Sequence, residues 1–196
     1  LSNNREEMKR QIVEEMYETE RTYFKNLVFV VQVYMVPLEE MAKSGAAILS
    51  PSDVDHIFQN LGEVKNVSKQ MLSKLTEAKN SWPAQSMFGK AFQDLAKPLQ
   101  EVYTKFVVNY NRSNHCLQKA FNNPAFKEFD EKCQKEAHGM NLSLYSFMIL
   151  PVQRLPRYRL LMEQLIKFSD PTLNAHQIQD LQKGLEAVKE VCENVN

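Results

Sequence analysis

The side chains able to do chemistry are few and scattered. The four histidines are His56, His115, His138 and His176, and none sits in an HExxH pattern. His115, Cys116, Cys133 and His138 could gather around zinc, but their spacing matches no common zinc module. No GxSxG or Cys–His signature stands out, and no GxGxxG or GxxxxGK[ST] loop is present to cradle a phosphate. Paired carboxylates such as Glu14–Glu15 and Glu39–Glu40 read as solvated helix faces. One acid does not fit that reading. Val13, Tyr17, Glu20, Phe24, Val28 and Val31 lie on one helical line, and Glu20 is the only member that is neither apolar nor aromatic. A carboxylate there costs desolvation unless it has a partner. Three readings are open: an internal ion pair, a carboxylate that reaches solvent at the stripe's edge, or a partner supplied by another molecule.

A second anomaly is the stretch LPVQRLPRYRLL, residues 150–161, where two prolines, three arginines and a glutamine interrupt an apolar segment. Read as one helix, 142–168 splits into two faces. Leu144, Met148, Pro151, Leu155, Tyr158, Met162 and Leu165 form a core-facing stripe. Ser146, Ile149, Gln153 and Arg157 form another, with Gln153 and Arg157 side by side at a spacing of four. An isoleucine beside Gln and Arg on an outward face suits a protein-binding surface. The prolines imply a bent helix or one that stops early.

These residues need long helices to hold them. A 3.6-residue periodicity places a helix over about 6–43, with Ile12, Met16, Tyr23, Leu27, Val30 and Tyr34 inward and Pro37 bending its far end. A second helix follows a cap at Ser50 or Ser52 and runs to about 79. A third covers about 86–120 with an interruption near Pro98. A short one reaches about 137. The 142–168 helix follows a cap at Asn141 or Ser143, and a last helix carries Ile178, Leu181, Leu185, Val188, Cys192 and Val195. No strand alternation appears, so the expected fold is all-α, an elongated bundle of about six helices in a single domain over 1–196.

Composition agrees with a soluble globular chain: 43% hydrophobic, 24% charged, and only 5 glycines in 196 residues. Lys+Arg and Asp+Glu are both 24, which argues against a basic nucleic-acid-binding domain. No apolar run is long enough to insert in a membrane. Three sparse cysteines suggest a reducing, cytoplasmic setting. A chain that opens on Leu and ends inside a helical pattern reads as a domain excised from a longer protein.

With those residues in view, a resemblance emerges. EEMYETERTYFKNL (14–27), with Thr19, Glu20 and Tyr23, resembles the first motif of the Dbl homology domain. LSLYSFMILPVQRLPRYRLLMEQLIKFS (142–169) resembles its third, around Pro-Val-Gln-Arg-x-x-[Lys/Arg]-Tyr, and LEAVKEVCENVN (185–196) its last core helix. The resemblance spans essentially the whole chain. It implies a guanine nucleotide exchange factor for Rho-family GTPases, an elongated helical bundle with a pleckstrin homology domain following, and no cofactor. Membrane recruitment would come from regions outside this chain. Carried over by motif, Glu20 would engage the first switch of the GTPase, and Arg157 and Asn196 the second. Gln153 and Arg154 belong to the same GTPase-binding motif, and Ser146 and Ile149 match positions that choose among GTPases. Arg157 stands where Lys is commoner, Leu150 where a charge is frequent, and Arg159 where Pro is frequent. Two other classes stay open on residues alone: a helical scaffold that binds a GTPase without exchange, and a helical enzyme with a buried metal.

Overall fold

The computed structural model describes residues 2–81, 86–138, 140, 142–169 and 175–195. Among them every regular element is helical. The first is a rod that changes its winding. Helix α1 (Ser2–Phe29) passes into a π-helical turn (Val30–Met35) and then into α2 (Val36–Lys43). Pro37 explains the change, because it has no N–H and its ring crowds the carbonyl four residues back, that of Val33. The Cys133 thiol donates to that carbonyl at 3.5 Å. The expected inward stripe holds: Ile12, Met16, Tyr23, Leu27, Val30 and Tyr34 are all buried.

Helix α3 (Pro51–Phe58) starts on Ser50, whose hydroxyl accepts from the Asp53 N–H at 3.1 Å, with Pro51 in the first turn. The single helix expected from there to about 79 is in fact two. The chain turns at Gln59, which takes φ +52° without being glycine, and α4 (Leu61–Asn80) begins after Asn60. Tertiary bonds fix this break. Asn60 is buried, and its amide donates to the Val102 carbonyl at 3.0 Å, while the Ser113 hydroxyl donates to Ile57.

The third expected helix is corrected in the opposite sense. Helix α5 (Ser86–Val108) runs straight through Pro98, and the break falls at Asn109 before α6 (Tyr110–Ala120). A proline costs one helical bond, and buried Phe92, Leu95, Leu99 and Tyr103 hold both sides of it. At Asn109 the side-chain amide takes the Lys105 carbonyl at 3.0 Å, competing with the backbone. Helix α7 (Pro124–Lys135) is capped by Asn123 and α8 (Leu144–Lys167) by Ser143, whose hydroxyl accepts from the Ser146 N–H at 3.2 Å. The alternative cap, Asn141, lies outside the described residues. Helix α9 (Ala175–Val195) completes the chain.

Helices α1, α4, α5, α8 and α9 pack on one another as the main bundle, and α3 packs on α6 beside it. Helices α5 and α9 touch backbone to backbone. A Cβ on Gly184 would lie 2.6 Å from the Gly89 Cα, and one on Gly89 would lie 2.3 Å from the Asp180 carbonyl oxygen. Helix α8 is unbroken across both Pro151 and Pro156, and its predicted inward stripe from Leu144 to Leu165 is buried throughout. The outward face drawn from 146 to 157 therefore exists as one continuous helical surface.

Candidate functional site

Helices α1 and α8 meet along a seam, and the two sequence anomalies meet there. Glu20 lies inside it, fully buried. One carboxylate oxygen accepts from Arg154 Nε at 3.0 Å, Arg154 Nη2 at 2.8 Å and the Tyr158 hydroxyl at 2.6 Å. The other accepts from the Ser68 hydroxyl at 2.9 Å. Arg154 is only 6% exposed, and its Nη1 donates to the Thr19 hydroxyl at 3.0 Å. Its guanidinium also lies 4.6 Å from the Tyr158 ring centre and 5.6 Å from that of Tyr23. The Tyr23 and Tyr103 hydroxyls share a 2.6 Å hydrogen bond beside it.

This arrangement sets the electrostatics. Burial alone would lower the pKa of Arg154, but the facing Tyr158 and Glu20 outweigh it and raise the value, so the guanidinium stays charged. Burial first, then the Glu20 carboxylate, pushes Tyr158 well up. Tyr103 rises for the same two reasons, and Tyr23 through burial and the neighbouring Tyr103. The buried phenols therefore stay neutral, and Tyr158 donates to the closed charge pair.

Glu20 and Arg154 are each other's partner in this seam, and solvent does not reach the carboxylate. Of the readings open for Glu20, the internal ion pair is the one found. The acid on the surface is Glu15, which forms an ion pair with Arg157 across α1 and α8, with side chains 40% and 42% exposed. As one of a carboxylate pair with Glu14, Glu15 reads from sequence as part of a solvated face. A usable signal was present. Glu15, Thr19, Thr22 and Asn26 stand at i, i+4, i+7 and i+11, a polar stripe beside the apolar one, with no lysine in it.

The remaining predicted residues fall on this outer surface. Gln153 is exposed beside Arg157, and Ser146 and Ile149 are half-buried further toward the start of α8. Leu160, 43% exposed and one turn beyond Arg157, extends the same face with an unprotected apolar side chain. Asn196 lies outside the described residues. Between the helices is a notch of about 280 Å³ lined by Thr19, Thr22, Tyr23, Asn26, Leu150, Gln153, Arg154 and Arg157. No group of three His, Cys, Asp or Glu side chains suited to a metal occurs among the described residues, and Cys133 is buried at its carbonyl bond. No helix among them is long and apolar enough to cross a membrane.

The fold, first, is that of the helical exchange-factor domains. The Vav1 exchange factor superposes with a TM-score of 0.85 at 23% identity, over 98% of this chain and 49% of that one. The DH/PH domains of PDZ-RhoGEF, solved in complex with activated RhoA, superpose with a TM-score of 0.82 at 20% identity, over 98% and 54%. The chain belongs to the RhoGEF domain family, whose model matches residues 12–196. Among curated relatives, Protein ECT2 of Mus musculus is 30% identical over 190 residues, covering 95% of this chain and 20% of that protein. Guanine exchange factor for Rac 30 of Dictyostelium discoideum is 33% identical over 187 residues, covering 95% and 11%. The chain thus spans a small part of the curated relatives it matches.

Proposed function

We propose that the chain accelerates GDP release from a Rho-family GTPase by engaging both of its switch regions through the α1–α8 seam. The observation that carries this is the surface ion pair of Glu15 and Arg157, flanked by Gln153 and set on the buried Glu20–Arg154 pair. A GTPase holds phosphate and Mg²⁺ through its own loops. A carboxylate and a guanidinium fixed on two packed helices offer the switches new charged partners. Binding the nucleotide-free form more tightly than the loaded form then weakens nucleotide binding by the same factor. That exchange needs neither cofactor nor covalent step.

Within this reading the predicted residues divide by depth. Arg157, Gln153 and Glu15 touch the GTPase. Glu20 and Arg154 act from below, holding α1 and α8 at one separation. Ser146 and Ile149, on the same face, tune which GTPase is accepted, and Asn196 adds a contact. The names of the relatives and of the DH/PH neighbours support both the GTPase class and an accompanying pleckstrin homology domain.

The test is fluorescent GDP release from a panel of Rho- and Rac-type GTPases. The domain should accelerate release from at least one, and Glu15→Ala with Arg157→Ala should lower that rate by roughly a hundredfold, as expected for losing two charge-assisted contacts at about 1.5 kcal/mol each. An unchanged rate in a folded double variant would refute the site. Equal binding to loaded and empty GTPase, without acceleration, would refute exchange.

A further inference from the structure

The notch beside the ion pair contains a polar group with nothing to do. Asn26 is 8% exposed, yet no described residue hydrogen-bonds its carboxamide. Buried side chains usually hydrogen-bond within the protein, so one whose carboxamide has no described protein partner calls for an explanation. The amide of Gln59, at the α3–α4 break, is also unpaired, but its polar atoms are sealed from solvent. Those of Asn26 are not sealed. Asn26 lines the notch, whose wall also holds Leu150 and Tyr23, with exposed Thr22 and Gln153 at its rim. The other polar groups within it are already engaged: Arg154 with Glu20, Arg157 with Glu15, and the Thr19 hydroxyl with the Glu15 carbonyl at 2.7 Å. Asn26 is the buried group there that waits for a partner.

A carboxamide offers one donor side and one acceptor side. Its complement is another amide, and a protein partner's most abundant amide is the main-chain peptide group. We infer that Asn26 docks an extended loop of the GTPase by pairing with one of its peptide groups, while an apolar side chain of that loop enters the notch against Leu150 and Tyr23. This rests on the exchange reading above and deepens it. Main-chain pairing is blind to the loop's sequence. Asn26 therefore supports every accepted GTPase alike, and discrimination falls to what the notch admits and to Ser146 and Ile149. Because the peptide group is present throughout the reaction, the contact strengthens docking rather than the rate of the bound complex.

The experiment is GDP release at varied GTPase concentration, with the domain as it stands. Asn26→Ala should raise the half-saturating concentration about tenfold, as expected for two hydrogen bonds, and leave the maximal rate within about twofold. The rise should be the same for each GTPase served. Asn26→Asp, which keeps the acceptor and loses the donor, should show a smaller rise. Unchanged half-saturation in a folded Asn26→Ala domain overturns the inference, as does a loss confined to the maximal rate. Should the variants not fold, the ¹⁵N signal of the wild-type Asn26 side-chain amide decides: it shifts when nucleotide-free GTPase is added, or the inference is wrong. A wild-type domain that shifts this signal but releases no GDP would overturn exchange and leave the docking contact standing.

Discussion

Replacing Arg154 by Met isolates a charge in the core. The substitution removes all three hydrogen bonds the guanidinium makes to Glu20 and Thr19, at 2.8–3.0 Å, and fills much of the space with apolar atoms. Glu20 remains fully buried, with only the Ser68 and Tyr158 hydroxyls to receive. Breaking such a pair from one side costs about 3–5 kcal/mol, a large share of the roughly 5–15 kcal/mol that holds a domain folded. With a urea dependence of about 2–3 kcal/mol per molar, the unfolding midpoint should fall by roughly 1–2.5 M. Circular dichroism at 222 nm against urea reads this directly. The informative partner is the double variant, Arg154→Met with Glu20→Leu. It removes both charges, so most of the lost stability should return, and the coupling should be at least about 2 kcal/mol. A loss under about 1 kcal/mol in the single variant would refute the argument. So would a double variant that loses the full sum of both singles, because Glu20 and Arg154 would then not be energetic partners.

Gly184→Ala should be among the most damaging one-carbon changes available, because its Cβ meets the Gly89 backbone at 2.6 Å and backbone cannot rotate away. A loss of about 3 kcal/mol or more is expected by thermal melt, and a melting point within a degree or two of the parent would show that α5 and α9 do not pack this closely. Alkaline pH should also weaken the fold. Burial, then Asp130 and Glu136, pushes the Cys133 thiol from its ordinary 9.0 up to about 12, and burial raises Tyr23 and Tyr158 as well. Each of these groups is raised in the folded state, so its contribution is whole below its unfolded pKa and drains away as pH climbs toward the folded one. The melting point should therefore fall between about pH 9 and 11, less steeply in Cys133→Ala, and a flat profile over that range would contradict the burial.

What could be seen in the sequence was whatever repeats locally. The inward stripes of α1 and α8 and the Ser50 cap depend on neighbours three or four residues away, and all appear where the spacing put them. The break at Gln59 could not be placed this way, because Asn60 finds its acceptor, Val102, in another helix. Pro98 misled for the same reason: packing on both sides held a helix that propensity alone would interrupt. At the site, spacing was a better guide than motif. Arg154 is three residues after Pro151 and four before Tyr158, and Glu20 is four after Met16 and three before Tyr23, so both sit on inward stripes. The family motif assigns both to the GTPase, whereas their spacing from these apolar neighbours matches the buried positions they hold. Only the partner of Glu20 was beyond reach, because it comes from the far end of the chain.

That distance has a consequence in time. Glu20 and Arg154 are 134 residues apart, and a ribosome adding roughly 5–20 residues per second takes roughly 7–27 s to go from one to the other. Throughout that interval α1 carries a carboxylate destined for the core with no cation to meet it. The nascent helix must keep that face wet until α8 emerges. Closure of the α1–α8 seam thus waits on one late arginine, and a chain stopped before it would hold most of its helices but not the seam between the first and the eighth.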